Sequence, residues 1–168
     1  IHCRDKEKIM ALAIIMILYA SAGILAAVGS MYLSHRFVPV RFEATLYGVF
    51  LIVIAVFYLA FTSYFGDELA WRLETTAVVV FAVLGCLGIR LPILLIAGYA
   101  LHGAWDLLHE IHQHSGVNVF AGRQATQVPL AYGAFCATFD LAVAVYLAYR
   151  RKEWLVAWSS LRAKKVLG

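Results

Sequence analysis

Within residues 98–114, GYALHGAWDLLHEIHQH, an apolar segment acquires His102, Asp106 and His109, with Glu110, His112 and His114 just beyond. Successive helical residues are 100° apart, so with His102 at zero, Asp106 falls at about +40° and His109 at about −20°. The three share one narrow stripe along about two turns of helix. Imidazole and carboxylate side by side can hold Zn, Fe, Mn or Cu(II). They can also work as an acid–base pair on a substrate, or pass protons along a chain. A second stripe of the same kind lies further on, where Tyr132, Cys136 and Asp140 are spaced i, i+4, i+8. Glu74 adds a carboxylate at the start of another apolar segment.

The elements that must position these groups are apolar helices. The chain has 168 residues, 63% hydrophobic and 14% charged, and a mean hydropathy of +0.81. A soluble domain is nearer half apolar and a quarter charged, so this composition belongs to an integral membrane protein. The sequence pI near 9.1 does not point to nucleic acid. The basic residues sit at the ends of apolar segments, where orientation and anionic headgroups account for them. Of the three cysteines, Cys86 and Cys136 lie in apolar segments, so neither a disulfide framework nor a zinc-finger spacing is present.

Five segments approach the roughly 20 residues a span needs: Ile9–Leu33, Thr45–Phe65, Leu73–Ile89, Leu91–Leu108 and Val128–Tyr149. The third and fourth are separated only by Arg90 and Pro92. This predicts a tight hairpin with Pro92 in the first turn of the fourth helix; without the hairpin, the third segment is a half-helix. The run Met10–Leu33 is longer than a signal-peptide core, and no small-residue cleavage site follows it, so a retained span is expected. With Ile at position 1, a truncated or processed start is also expected. The predicted fold is all-α: an integral membrane bundle of five transmembrane helices over residues 1–149, then a basic amphipathic surface helix over residues 150–168. In that tail Trp154, Leu155, Trp158 and Leu161 share a face, and Arg162, Lys164 and Lys165 supply charge. Small residues Ala22, Gly23, Ala26, Ala27 and Gly29, with Gly85, Gly88, Gly98 and Gly103, mark close helix packing. The polar stretch Glu110–Gln127 is read either as a lid or entrance, or as a solvated connector.

The basic residues also set an orientation. Arg36, Arg41, Arg90 and six residues of the tail fall on one side of a five-span bundle; Arg4, Lys6, Lys8, Arg72 and Arg123 fall on the other. The expected topology is N-terminus outside and C-terminus cytoplasmic, in a bacterial inner membrane. The fourth span then runs outward and the fifth inward. Asp140 comes to the level of His102, Cys136 or Tyr132 to that of Asp106 and His109, and Glu74 to the outer rim beside His109.

A charge facing hydrocarbon costs roughly 2.5–3.5 kcal/mol even on the lenient insertion scale, so the stripe must face protein, water or an ion. In the metal reading, His102, Asp106, His109 and Asp140 are ligands. In the acid–base reading, Asp106, Asp140 and Glu74 carry the proton chemistry. A proton or ion relay and a set of purely structural interhelical hydrogen bonds are the other readings. An enzyme of this kind would act on an apolar or lipid-like substrate, a hydrophobic small molecule reaching it from the lipid bilayer. The alternative from another class is a non-catalytic accessory subunit held by other membrane subunits. Bis-histidine haem is disfavoured, because His35, the other candidate, lies at the far end of the first span. Glu43 is expected to pair with Arg41 at the interface, and Cys136 to be a small buried side chain.

The string Leu101-His102-Gly103-Ala104-Trp105-Asp106-Leu107-Leu108-His109 resembles the core of a family of small bacterial integral membrane proteins known only as a domain of unknown function. Arg41-Phe42-Glu43-Ala44 is similar to that family's opening of a span, Glu74 to its glutamate at the next, and Phe135-Cys136-Ala137-Thr138-Phe139-Asp140 to its Cys…Asp ending. The likeness covers roughly residues 41–148 and departs where Glu110 replaces a frequent second histidine. It implies no activity. It groups Glu74, His102, Asp106, His109, Cys136 and Asp140 together.

Overall fold

The computed structural model describes the backbone of residues 2–167 and the side chains of residues 6–160. Its helices are α1 (His2–Phe37), α2 (Val40–Phe65), α3 (Trp71–Gly88), α4 (Pro92–Ser115) and α5 (Tyr132–Leu167), with a 3₁₀ turn at Glu68–Ala70 before α3. No strand occurs among the described residues.

Local chemistry sets the ends. Gly66 closes α2 in the left-handed region at φ 69°, its N–H donating to the Thr62 carbonyl, a conformation cheap only for glycine. Pro92 occupies the first turn of α4, where its missing N–H leaves no bond unmade. The α3–α4 connection is therefore a tight hairpin between two full helices.

Four stretches, Lys6–Phe37, Val40–Phe65, Glu68–Gly88 and Tyr132–Ser160, are long and apolar enough to cross a membrane. That differs from the five expected. α4 has the length, at 24 residues, but its stripe of histidines and acids dilutes its apolar character. Large apolar side chains face outward all round the bundle, among them Leu25 at 72%, Val80 at 48%, Leu101 at 55% and Val145 at 58% exposure. An apolar exterior of this extent matches hydrocarbon rather than water as the surrounding solvent.

α5 is the organising helix, packed most extensively on α4 and α1, while α2 pairs with α3 and α3 with α4. Glycines sit where the axes approach. A Cβ on Gly48 would lie 2.8 Å from the Gly85 carbonyl oxygen, and one on Gly85 2.7 Å from that of Gly48. Gly103 meets the Ala137 carbonyl of α5 in the same way, at 3.1 Å. On α1, Gly23 and Ala27 face inward, and Thr138 of α5 donates to the Ala20 carbonyl at 2.9 Å beside them. Ala22, Ala26 and Gly29, expected in the same contact, face outward.

Two expectations are corrected at the far end. α5 does not break at residue 150 to release a separate surface helix. Glu43 of α2 is fully buried and accepts from Arg150 Nη2 at 2.8 Å, Arg150 Nε at 3.1 Å and Trp154 Nε1 at 2.9 Å. Tyr146 also donates to it. These bonds span the expected boundary and hold Trp154 inside, while Leu155 points outward. Glu43 thus pairs with Arg150, not with Arg41, whose guanidinium lies 4.7 Å from the Phe42 ring centre. The side chains of Leu161, Arg162, Lys164 and Lys165, and of Cys3 and Arg4, lie outside the described residues.

Candidate metal centre

α4 and α5 run antiparallel, and their close approach at Gly103 lets short acidic side chains span the gap. His102 Nδ1 lies 2.7 Å from Asp140 Oδ2 and 3.2 Å from Asp106 Oδ2. All three residues are at most 1% exposed. One candidate ligand atom from each lies within 4.8 Å of the others, so the group could hold a metal ion. Tyr58 of α2 donates to Asp106 Oδ1 at 2.5 Å, and Phe81 of α3 packs edge-on to the His102 ring at 4.7 Å. The centre is walled by α2, α3, α4 and α5.

The hydrogen-bond inventory of this centre is incomplete. His102 Nδ1 carries at most one proton and faces two carboxylates. Asp140 Oδ1, Asp106 Oδ2 and His102 Nε2 are buried without a hydrogen-bond partner. Two carboxylates in a dry interior are costly unless one is protonated or positive charge stands beside them, a proton on the imidazole or a cation. Ligand atoms held 2.0–2.2 Å from one tetrahedral ion sit about 3.3–3.6 Å apart. The 3.2 Å separation from Asp106 lies near that spacing, whereas 2.7 Å from Asp140 is a direct hydrogen bond that would have to open by several tenths of an ångström to admit an ion. One nitrogen and two carboxylate oxygens are donors of the kind that hold metal ions in proteins.

His109, expected among these ligands, lies elsewhere. It is seven residues beyond His102, about 10 Å further along the axis at 1.5 Å per residue. It shares the face of His102, but that rise carries its ring away from Asp106 and Asp140. Its Nε2 lies 3.0 Å from Glu74 Oε1 of α3, and its Nδ1 3.1 Å from the Trp105 carbonyl. Both ring nitrogens thus face oxygen atoms, one of the Glu74 carboxylate and one of the backbone. Glu74, expected at an outer rim, is fully buried. The Tyr58 ring lies between the two clusters, 6.0 Å from His102 and 4.6 Å from His109.

The connector 116–131 is what buries Glu74. Thr126 N donates to Glu74 Oε1 at 3.0 Å, and Asp67 Oδ2 accepts from Gln127 N at 2.8 Å and Thr126 Oγ1 at 3.1 Å. Gln113 exchanges two bonds with Val128, each 3.0 Å. Phe120 sits 4.8 Å from His109 and 5.2 Å from Trp105, between ring centres. The segment is therefore a built cover. α4 also runs further than expected, which puts Glu110 inside the helix. There its carboxylate accepts from Gly133 N at 2.8 Å, capping the start of α5 as acidic groups favour. His114 Nε2 lies 3.0 Å from Glu110 Oε1, and His112 Nδ1 lies 3.2 Å from the Val117 carbonyl oxygen. Neither reaches the centre. Tyr132 packs on Phe61 and Tyr58, and Cys136 is half-buried with a free thiol.

Tyr58, Asp67 and Thr126 went unread in the sequence. For Tyr58 a signal exists: Leu51, Ala55, Tyr58 and Thr62 fall at helical spacing on the inward face of α2, and two of them carry hydroxyls. No protein-family model, curated protein or solved structure matches the chain, so its function is argued from the arrangement of His102, Asp106 and Asp140.

Proposed function

We propose that the chain is a membrane-embedded metal protein in which His102, Asp106 and Asp140 hold one divalent transition metal ion. The observation that carries this is the buried trio itself: three ligand-bearing side chains within 4.8 Å, with an orphaned polar atom on each. A cation between His102 Nδ1 and the two carboxylates would supply the missing charge and a partner for Asp106 Oδ2. Its fourth position, open to a water or a substrate oxygen, makes the centre a metal-dependent enzyme acting on an apolar or lipid-like substrate that enters from the bilayer. Tyr58, bonded to Asp106, orients that carboxylate. In this reading five helices, α4 included, cross a bacterial inner membrane, with the N-terminus outside. The chain then shares the His/Asp helix of the uncharacterised membrane family that it resembles.

A second reading rests on the His109–Glu74 pair. That pair and the aromatic contact through Tyr58 would extend the trio into a proton relay, with His102 protonated between two carboxylates.

Metal analysis separates the two. Protein purified with a tag free of histidine is expected to contain about one Zn, Mn, Fe or Cu per chain. His102→Ala is expected to lose it while still inserting, because the helix becomes more apolar. A wild-type protein that holds no stoichiometric metal, and takes none up from Zn²⁺ or Mn²⁺, overturns the metal reading in favour of the relay.

A further inference from the structure

At the opposite end of the bundle α1 and α2 stand apart. α1 spends its packing on α5, and its sole side-chain hydrogen bond to α2, among the described residues, joins Ser34 Oγ to the Tyr47 hydroxyl at 2.8 Å. Between the two helices runs an open groove of about 460 Å³, walled by Leu33, Phe37, Leu46 and Phe50 over a floor at Ser34 and Tyr47. Its polar atoms have partners already. Ser30 Oγ bonds to the Ala27 carbonyl at 2.9 Å, and Ser34 Oγ to that of Met31 at 3.0 Å. The groove offers an occupant apolar contact only.

Its end carries charge. α1 and α2 are joined by Val38 and Pro39 alone, and Arg36 and Arg41 flank that turn. Both are exposed, and neither pairs with a carboxylate among the described residues. Each guanidinium lies against an adjacent ring, Arg36 5.8 Å from the centre of Phe37 and Arg41 4.7 Å from that of Phe42. Phe37 and Val38 line the groove, so along the chain Arg36 is one residue and Arg41 three residues from its lining.

We infer that this cleft binds one anionic phospholipid, with an acyl chain along the groove and the phosphate on Arg36 and Arg41. Guanidinium matches phosphate in shape and charge, and basic residues at a cytoplasmic boundary attract anionic lipid. The inference rests on the membrane part of the proposed function and is independent of the metal.

The test is native mass spectrometry of the full chain in neutral detergent, titrated with dioleoyl phosphatidylglycerol or dioleoyl phosphatidylcholine. The wild type is expected to bind the anionic lipid about thirtyfold more tightly, from two basic side chains at the headgroup. Arg36→Gln with Arg41→Gln, both at exposed positions, should equalise the two lipids. Leu46→Trp, filling the groove, should weaken both about tenfold; Leu33→Trp replaces it if that variant does not fold. Glycerol phosphate should not compete, since it lacks the chain. Equal binding of the two lipids by wild type, or a preference that survives loss of both arginines, overturns the inference. So does tight binding that the groove-filling variant leaves intact, or displacement by glycerol phosphate, because either places the lipid on charge alone. A dimer that Leu46→Trp dissolves makes a second copy the occupant instead. Metal content, measured on the same samples, keeps failure here distinct from failure of the metal reading.

Discussion

Replacing Asp140 with Asn separates a metal ligand from a structural hydrogen-bond acceptor. The amide oxygen can still accept from His102 Nδ1, which stands 2.7 Å from the carboxylate now. What disappears is one of two negative charges facing one imidazole. A tetrahedral protein zinc site is worth about 10–16 kcal/mol over four ligands, or about 3–4 kcal/mol each, so losing one ligand weakens binding about 10²–10³-fold. At a free metal concentration 100 times the wild-type Kd, the ion stabilises the folded protein by about 2.7 kcal/mol; a variant with a 100-fold higher Kd keeps only about 0.4 kcal/mol of that. The stripped proteins should differ in the other direction. Without a cation the wild type buries two carboxylates beside one imidazole, and the variant buries one, so chelated Asp140→Asn should unfold at the same temperature as chelated wild type or higher. The assay is thermal unfolding in detergent, with chelator and then with Zn²⁺ or Mn²⁺ restored. A metal-dependent increase of equal size in both proteins refutes the ligand role. A variant less stable than wild type by the same margin in both conditions shows that Asp140 is only a hydrogen-bond partner.

Other perturbations test the frame around the centre. Glu43→Ala leaves buried Arg150 with only the exposed Glu153 as its carboxylate and orphans Trp154 Nε1; the unpaired indole donor alone costs about 1–3 kcal/mol, and unfolding in detergent with added denaturant should show it, whereas wild-type stability would mean that the cluster is dispensable. Asp67→Ala removes the acceptor for Thr126 Oγ1 and Gln127 N, at about 1–3 kcal/mol for the buried donors left unpaired. Hydrogen exchange at the Thr126 and Gln127 amides should quicken while that of α4 holds; unchanged exchange would show that the cover is fastened elsewhere. Gly133→Val drives a Cβ into the Asp106 carbonyl and the Glu110 carboxylate, an overpacking worth about 1–3 kcal/mol that should lower the melting temperature. A reporter fused after Gly168 should read as cytoplasmic, and activity only on the outer side would reverse the proposed orientation.

How far the sequence carried depends on which physical rule was in play. Hydropathy placed five helices and the α3–α4 hairpin, because apolar runs and Pro92 are local signals. It could not see that α5 continues past residue 149, since the reason is a contact from residue 43 to residues 150 and 154. Long-range pairing leaves no local trace, and a basic tryptophan-rich segment looks the same whether it lies on a surface or stands upright. The site shows the same division. Angular periodicity brought His102, Asp106 and Asp140 within reach of one another, because they lie within about a turn of the same height on antiparallel helices. It grouped His109 with them by angle alone, although two turns of rise carry that ring to another neighbour. That neighbour, Glu74, is fully buried only because Thr126, 52 residues on, folds over it. Face and height together locate a centre in a helical bundle. Its cover, and with it the route by which anything reaches that centre, is written in the loop, where no periodicity exists to be read.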